Sequence, residues 1–232
     1  MQPSFRRFLL AGFLATAPCG WALAQTATTA AQPAETKEAA YTRAITERAA
    51  KIVEKLGIPE PTKAGQVRDI IADQYRALNE IHEQQKTQLS ALKAQPKTEA
   101  TAAEMKLVED KTTAALAKLH IKYLRKLNQK LTPAQVDQVK DGMTYSVLPN
   151  TMRAYREMLP SLTDAQYAQM LAWLTEAREK AMDAGTSEQK HAWFGKYKGK
   201  INNYLSAAGI DMNQAGKDWQ ARIAREKADA QK

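Results

Sequence analysis

The sequence predicts an all-α protein, a long antiparallel helical hairpin extended by shorter C-terminal helices. Three observations predict it. Ala, Lys, Gln, Glu and Leu dominate the 232 residues, while the 10 glycines and 9 prolines fall at breaks. From Thr62 to Ala94 the positions Val67, Ile71, Gln74, Leu78, Ile81, Gln85, Gln88 and Leu92 alternate steps of four and three, the spacing of helices packed side by side. A turn at Pro96 and Thr98 then leads into a second long periodic stretch, so the two run antiparallel.

Residues 1–24 read as a secretory signal. Arg6 and Arg7 precede an apolar run from Phe8 to Ala17 and the small-residue site Ala22-Leu23-Ala24, which sets cleavage before Gln25. Arg6-Arg7 followed by Phe8, Leu9 and Leu10 also fits the twin-arginine route. The apolar run is too short for a stable membrane span, so none is expected after cleavage. Cleavage also removes Cys19, the one cysteine, and with it any disulfide, thiol nucleophile or thiolate ligand. The expected location is the periplasm or the exterior.

Residues 25–38, QTATTAAQPAETKE, lack an apolar period and read as a flexible tether, leaving 39–232 as a single helical domain. A first helix is expected from Ala39 to Leu56, stopped by Gly57 with Pro59 and Pro61 beyond. The hairpin follows, its second helix reaching Lys130 with Val108, Thr112, Leu116, Leu119, Tyr123 and Leu127 inward. Next comes LTPAQVDQVKDGM, with Thr132 as N-cap, Pro133 at the first helical position and Gly142 as stop. Met143 to Asn150 reads as an irregular connection, and Thr151 to Leu159 as a short helix before Pro160. Thr163 caps a helix with Tyr167, Met170, Leu171, Leu174 and Ala181 inside and Gly185 as stop. The shared Leu-Thr-x-Ala-Gln of these two helix starts is either a duplication or capping grammar.

The stretch KHAWFGKYKGKINNYL, Lys190 to Leu205, bears most on function. On a helix, Trp193, Phe194, Tyr197, Ile201, Tyr204, Leu205 and Ala208 share one side and read as core, with Trp193 and Tyr204 at its edge. His191, Gly195, Lys198 and Asn202 form a narrow strip beside that face, with Gly199 next to them. Each helical glycine costs about 1 kcal/mol relative to Ala, so something should compensate. Either another helix approaches closely or a ligand does. The candidate site joins the Asp141 to Tyr145 turn and Arg153 to His191, Trp193, Lys198 and Asn202, and it requires the two segments to meet in space.

His82, His120 and His191 lie on three different predicted helices without ligand spacing, and no cysteine remains, so no metal site is expected. Glu80, His82 and Glu83 read as a solvated face. No Gly-rich phosphate loop, nucleophile elbow or HExxH motif occurs, and no cofactor is expected. The formal charge of +9 falls by the two of Arg6 and Arg7 to +7 on the mature chain. Outside the cytoplasm such a balance points either to anionic polysaccharide, anionic headgroups or acidic proteins rather than nucleic acid, or simply to solubility.

Four stretches carry a resemblance: RDIIADQYRALNEIH (68–82), LTPAQVDQVKDGMTY (131–145), AWLTEAREKAMDAG (172–185) and KHAWFGKYKGKINNYL (190–205). Together they resemble a bacterial secreted family, domain of unknown function 3826, described as sugar-binding. The resemblance implies an exported helical protein of bacteria that degrade plant and algal polysaccharides, and it brings no catalytic residues to carry over. The expected function is carbohydrate binding, with anionic glycans favoured by charge. The Leu-Thr-x-x-Gln pair is also similar to small periplasmic stress chaperones, which makes client binding by the basic hairpin the alternative. A third reading is lyase chemistry on a uronate by Tyr145, Arg153, His191 and Lys198.

Overall fold

Thr36 is the N-cap of the first described helix, its Oγ1 accepting from the Ala39 amide at 3.1 Å. In the computed structural model, which describes residues 35–231, eight helices follow and no strand occurs among the described residues. They are α1 (Lys37–Glu54), α2 (Pro61–Lys93), α3 (Glu99–Asn128), α4 (Pro133–Met143), α5 (Val147–Met158), α6 (Asp164–Met182), α7 (Ser187–Ala207) and α8 (Met212–Asp229). The expected signal segment, 1–24, and the expected tether as far as residue 34 lie outside the described residues. The tether's last two positions, Lys37 and Glu38, are already the first turn of α1. No helix among the described residues is long and apolar enough to cross a membrane.

Local chemistry explains most boundaries. Gly57 sits at φ +60° just beyond α1, and Pro61 opens α2. Thr132 with Gln135, Thr163 with Gln166 and Thr186 with Gln189 form three reciprocal capping boxes. The Leu-Thr-x-x-Gln echo is therefore a helix start, used a third time where no leucine precedes it. Gln135 also donates from Nε2 to the Leu56 carbonyl at 3.1 Å, tying the end of α1 to the start of α4.

Two apolar cores organise the helices. One gathers Ile45, Ile52, Val67, Ile71, Tyr123, Leu127, Val139 and Met143 from α1 to α4. The other gathers Met152, Met170, Leu174, Phe194, Ile201 and Leu205 from α5 to α7, with α8 laid on its edge. α6 bridges them, since its last residue, Met182, belongs to the first core. α2 and α3 pair as the expected hairpin, but only Tyr123 and Leu127 of α3 are buried. Beyond the bundle each hairpin helix has one neighbour, so Val108, Thr112, Leu116 and Leu119 stay half-exposed.

Several expectations need correction. Gly142 does not stop α4; it lies inside the helix, where a Cβ would stand 2.8 Å from Ile52 Cγ1, so α1 and α4 approach closely there. Gly185 marks another close approach, with the His82 ring 2.8 Å from its would-be Cβ. His82 is accordingly half-buried, its Nε2 2.7 Å from the Asp183 carbonyl oxygen, rather than part of a solvated face. Residues 147–150 are the first turn of α5, because Pro149 stands where a missing amide hydrogen costs nothing. Leu171 is exposed on α6, and Ala208 is exposed just past α7.

Candidate functional site

The turn between α4 and α5 takes an uncommon path. Tyr145 at φ +58° and Ser146 at φ +54° are both left-handed, and neither is glycine. Such a conformation costs an ordinary residue about 1–2 kcal/mol and persists where surroundings impose it. Here the Asp141 carbonyl accepts from the Thr144 and Ser146 amides at 3.1 and 2.7 Å, and Thr144 Oγ1 donates to the Lys140 carbonyl at 2.8 Å. The strained turn stands Tyr145 outward, 51% exposed, with its ring stacked on His191 at 5.3 Å and 12° between planes.

Tyr145 borders two clefts. The larger, about 690 Å³, opens on the first core, with Ile45, Ile52, Leu78 and Met143 on its wall. α1 supplies Tyr41, Arg48 and Lys51 to it and its C-cap supplies Lys55, α2 supplies Tyr75 and Asn79, and the α4–α5 turn and the start of α7 complete the wall. Arg48, Lys51 and Lys55 are exposed, and none has an ion-pair partner among the described residues. Helical spacing of three and four explains why all three face one way. The smaller cleft, about 430 Å³, is lined by Tyr145, Asn150, Thr151, Tyr155, His191, Lys198 and Trp219 among others.

Beneath the larger cleft the charges are committed. Lys190 is 7% exposed, and its Nζ donates to the Met143 and Met182 carbonyls, each at 3.3 Å. These carbonyls end α4 and α6, so one ammonium caps two helix C-termini. Burial pulls its pKa down to about 8. Asp141 accepts from Arg178 Nη1 at 2.8 Å while Arg178 Nη2 donates to Asp137 at 2.6 Å. Burial opposes the Arg178 charge, but Asp141 and Asp137 outweigh it and raise its pKa. The one carboxylate on the cleft wall is thereby neutralised, and the unpaired charge facing the opening is positive. Burial also pushes the Tyr75 hydroxyl up to about 12, so it stays a neutral donor.

A second charged layer joins α3 to α6. His120 Nε2 lies 3.3 Å from Glu179 Oε2 and its Nδ1 2.9 Å from Asp183 Oδ2, while Lys140 reaches Glu179 at 2.9 Å. Asp183 and Glu179 raise His120 to about 9. Burial alone would raise Glu179, but His120, Lys140 and Arg178 outweigh it and hold it at about 2. No cluster of metal-ligating groups occurs among the described residues.

The turn and the α7 strip therefore meet in space. Tyr145, His191 and Lys198 share the smaller cleft, and Asn202 stands behind it, its Oδ1 accepting from the Tyr155 hydroxyl at 2.5 Å. Asp141 belongs to the larger cleft, held by Arg178. Arg153 is apart, exposed beside Glu157 and Asn150. Trp193 lies on the opposite flank of α7, between the Lys180 and Lys196 ammoniums at 5.4 and 5.6 Å from its ring centroid. A Cβ at Gly195 or Gly199 would meet nothing within 4 Å, so no neighbouring side chain covers these two glycines, although α5 and the α4–α5 turn reach Asn202 and His191 on the same strip.

Sequence reasoning missed Arg48, Lys51, Lys55, Arg178 and Lys190. The i, i+3, i+7 spacing of the first three was visible, but it is also the spacing of any solvated helix face. No curated protein matches the chain. The protein of unknown function family DUF3826 matches it over residues 42–225, which takes in every described helix in whole or in large part, and the chain belongs to that family.

Proposed function

We propose that this is an exported carbohydrate-binding protein whose ligand is an anionic saccharide held in the larger cleft. One observation carries the reading: Arg48, Lys51 and Lys55, free of acidic partners among the described residues, line a cleft whose lip is the half-exposed ring of Tyr145. Cations attract a carboxylated sugar, and guanidinium grips a carboxylate in two-point fashion. Sugar faces stack on an aromatic ring, while Asn79, Gln138, Ser146 and Ser187 around the cleft supply hydroxyl-bonding groups.

Thermal denaturation with oligogalacturonide tests it. The melting temperature is expected to rise with ligand, since a ligand at a hundred times its Kd adds about 2.7 kcal/mol of stability. Arg48→Ala combined with Lys51→Ala is expected to abolish the rise. A neutral oligosaccharide that stabilises equally well, or a double variant that still responds, would end this reading. Lyase chemistry by Tyr145 and His191 would instead appear as ultraviolet absorbance from an unsaturated product. Client binding has its own support in Leu107 and Ile121, 52% and 60% exposed on the hairpin. It would appear as suppressed aggregation of an unrelated protein, insensitive to sugar.

A further inference from the structure

The smaller cleft has no use if the ligand is a single sugar residue. It shares one residue, Tyr145, with the larger cleft, and lies across that ring from it. Both volumes fall within the about 300–1,000 Å³ of ordinary small-molecule sites. The smaller cleft offers a second aromatic, Trp219 of α8, the amide of Asn150, the Thr151 hydroxyl, and Lys198, which has no ion-pair partner among the described residues. No acid lines it. Its wall is otherwise largely apolar, with Val147, Ala154 and Met158, so a three-cation cleft and a one-cation cleft sharing the stacked Tyr145 suit a ligand that repeats its charge and its ring along a chain.

We infer that the two clefts are successive subsites of one groove, that Tyr145 backed by His191 is the ridge between them, and that the ligand is an oligomer of acidic sugars rather than a monosaccharide. This rests on the reading of the larger cleft as an anionic saccharide site. His191 acts here as a positioning residue: its imidazole backs the ring of Tyr145 and keeps it standing between the subsites. The α5–α7 contact made by the Tyr155 hydroxyl on Asn202 fixes the wall behind the second subsite. The uncovered main chain at Gly195 and Gly199 extends the open surface along α7.

Calorimetric titration of the mature protein with galacturonic acid and galacturonides of increasing length tests this. Affinity is expected to climb with chain length and level off once both clefts are filled, a gain of roughly tenfold or more from linking the two sites. Trp219→Ala and Lys198→Ala should each reduce the long oligomers towards the affinity of the short ones and leave the short ones unchanged. Lys198→Ala trims a half-buried side chain that has no ion-pair partner among the described residues, so the comparison survives if the tryptophan variant misfolds. Length-independent affinity, or variants that weaken short and long ligands alike, overturns the two-subsite groove while leaving the first cleft standing. Failure of every uronate to bind, or binding that Arg48→Ala leaves unchanged, removes the first cleft's role and the groove together.

Discussion

Tyr145 combines exposure, aromatic stacking and a backbone conformation that its own side chain disfavours. Glycine relieves the φ strain, whereas alanine keeps most of it, so the two substitutions separate backbone from ring. Tyr145→Gly is expected to leave stability unchanged or raise it by up to about 1 kcal/mol, because freedom at positive φ offsets the entropy that glycine adds to the unfolded chain. Tyr145→Ala should destabilise by a comparable amount. Both should weaken saccharide binding at least tenfold, about 1.4 kcal/mol. Urea titrations of the two variants beside ligand titrations would show whether the strained turn is kept for its ring. Equal stability of the two would argue that the turn stores no strain.

Helical glycines in this protein are of two kinds, and elements rather than residues decide which. Gly142 lets α4 lie against Ile52 of α1, and Ile52 is buried and branched at Cβ, so it has little room to yield. Gly142→Ala should therefore cost about 1–3 kcal/mol through overpacking. Gly195 and Gly199 on α7 face open space, and alanine at either should add up to about 1 kcal/mol of helix stability. Opposite signs in denaturant midpoints would establish the contrast, and a Gly142→Ala protein as stable as the parent would refute the close approach. If the open main chain of α7 is part of the groove, the stabilising alanines should also weaken long oligomers.

Across the whole molecule, the ion layer between α3 and α6 ties the hairpin to the C-terminal helices and makes stability depend on pH. His120 titrates near 6.5 when unfolded and about 9 when folded, so its contribution is whole below pH 6.5 and is lost as pH rises towards 9. Glu179, held at about 2, contributes fully above pH 4.5 and loses that contribution as pH falls towards 2. Lys190 has the opposite sign to His120, because its folded value of about 8 lies below the ordinary 10.5, and it restores stability only from pH 8 upward. Denaturant midpoints should thus peak between about pH 4.5 and 6.5 and fall from 6.5 to 8, by an amount on the order of 2 kcal/mol. His120→Asn should flatten that fall; an unaltered slope would assign it to other groups. Much of this architecture was legible from neighbours along the chain. Thr132, Thr163, Gly57 and the prolines act within a few residues of themselves, and the four-and-three seam of α2 reports its buried side from Val67 to Leu78 and at Leu92, while its Gln88 is exposed, so helix order and caps could be read directly. The strip of His191, Lys198 and Asn202 was legible for the same reason, being one face of one helix. Which faces meet was not. Arg48, Lys51 and Lys55 look like any solvated stripe until α1 is laid beside the α4–α5 turn, and Arg178 and Lys190 look like surface charges until two acids and two helix ends surround them. Tyr145 borders both clefts because a left-handed turn, held by its own local hydrogen bonds, stands it against a helix 46 residues further on. Periodicity and capping are local energies that the sequence determines alone; a cleft is a meeting of distant surfaces, and the packing of α1 and α2 beside the α4–α5 turn and the start of α7 decided it.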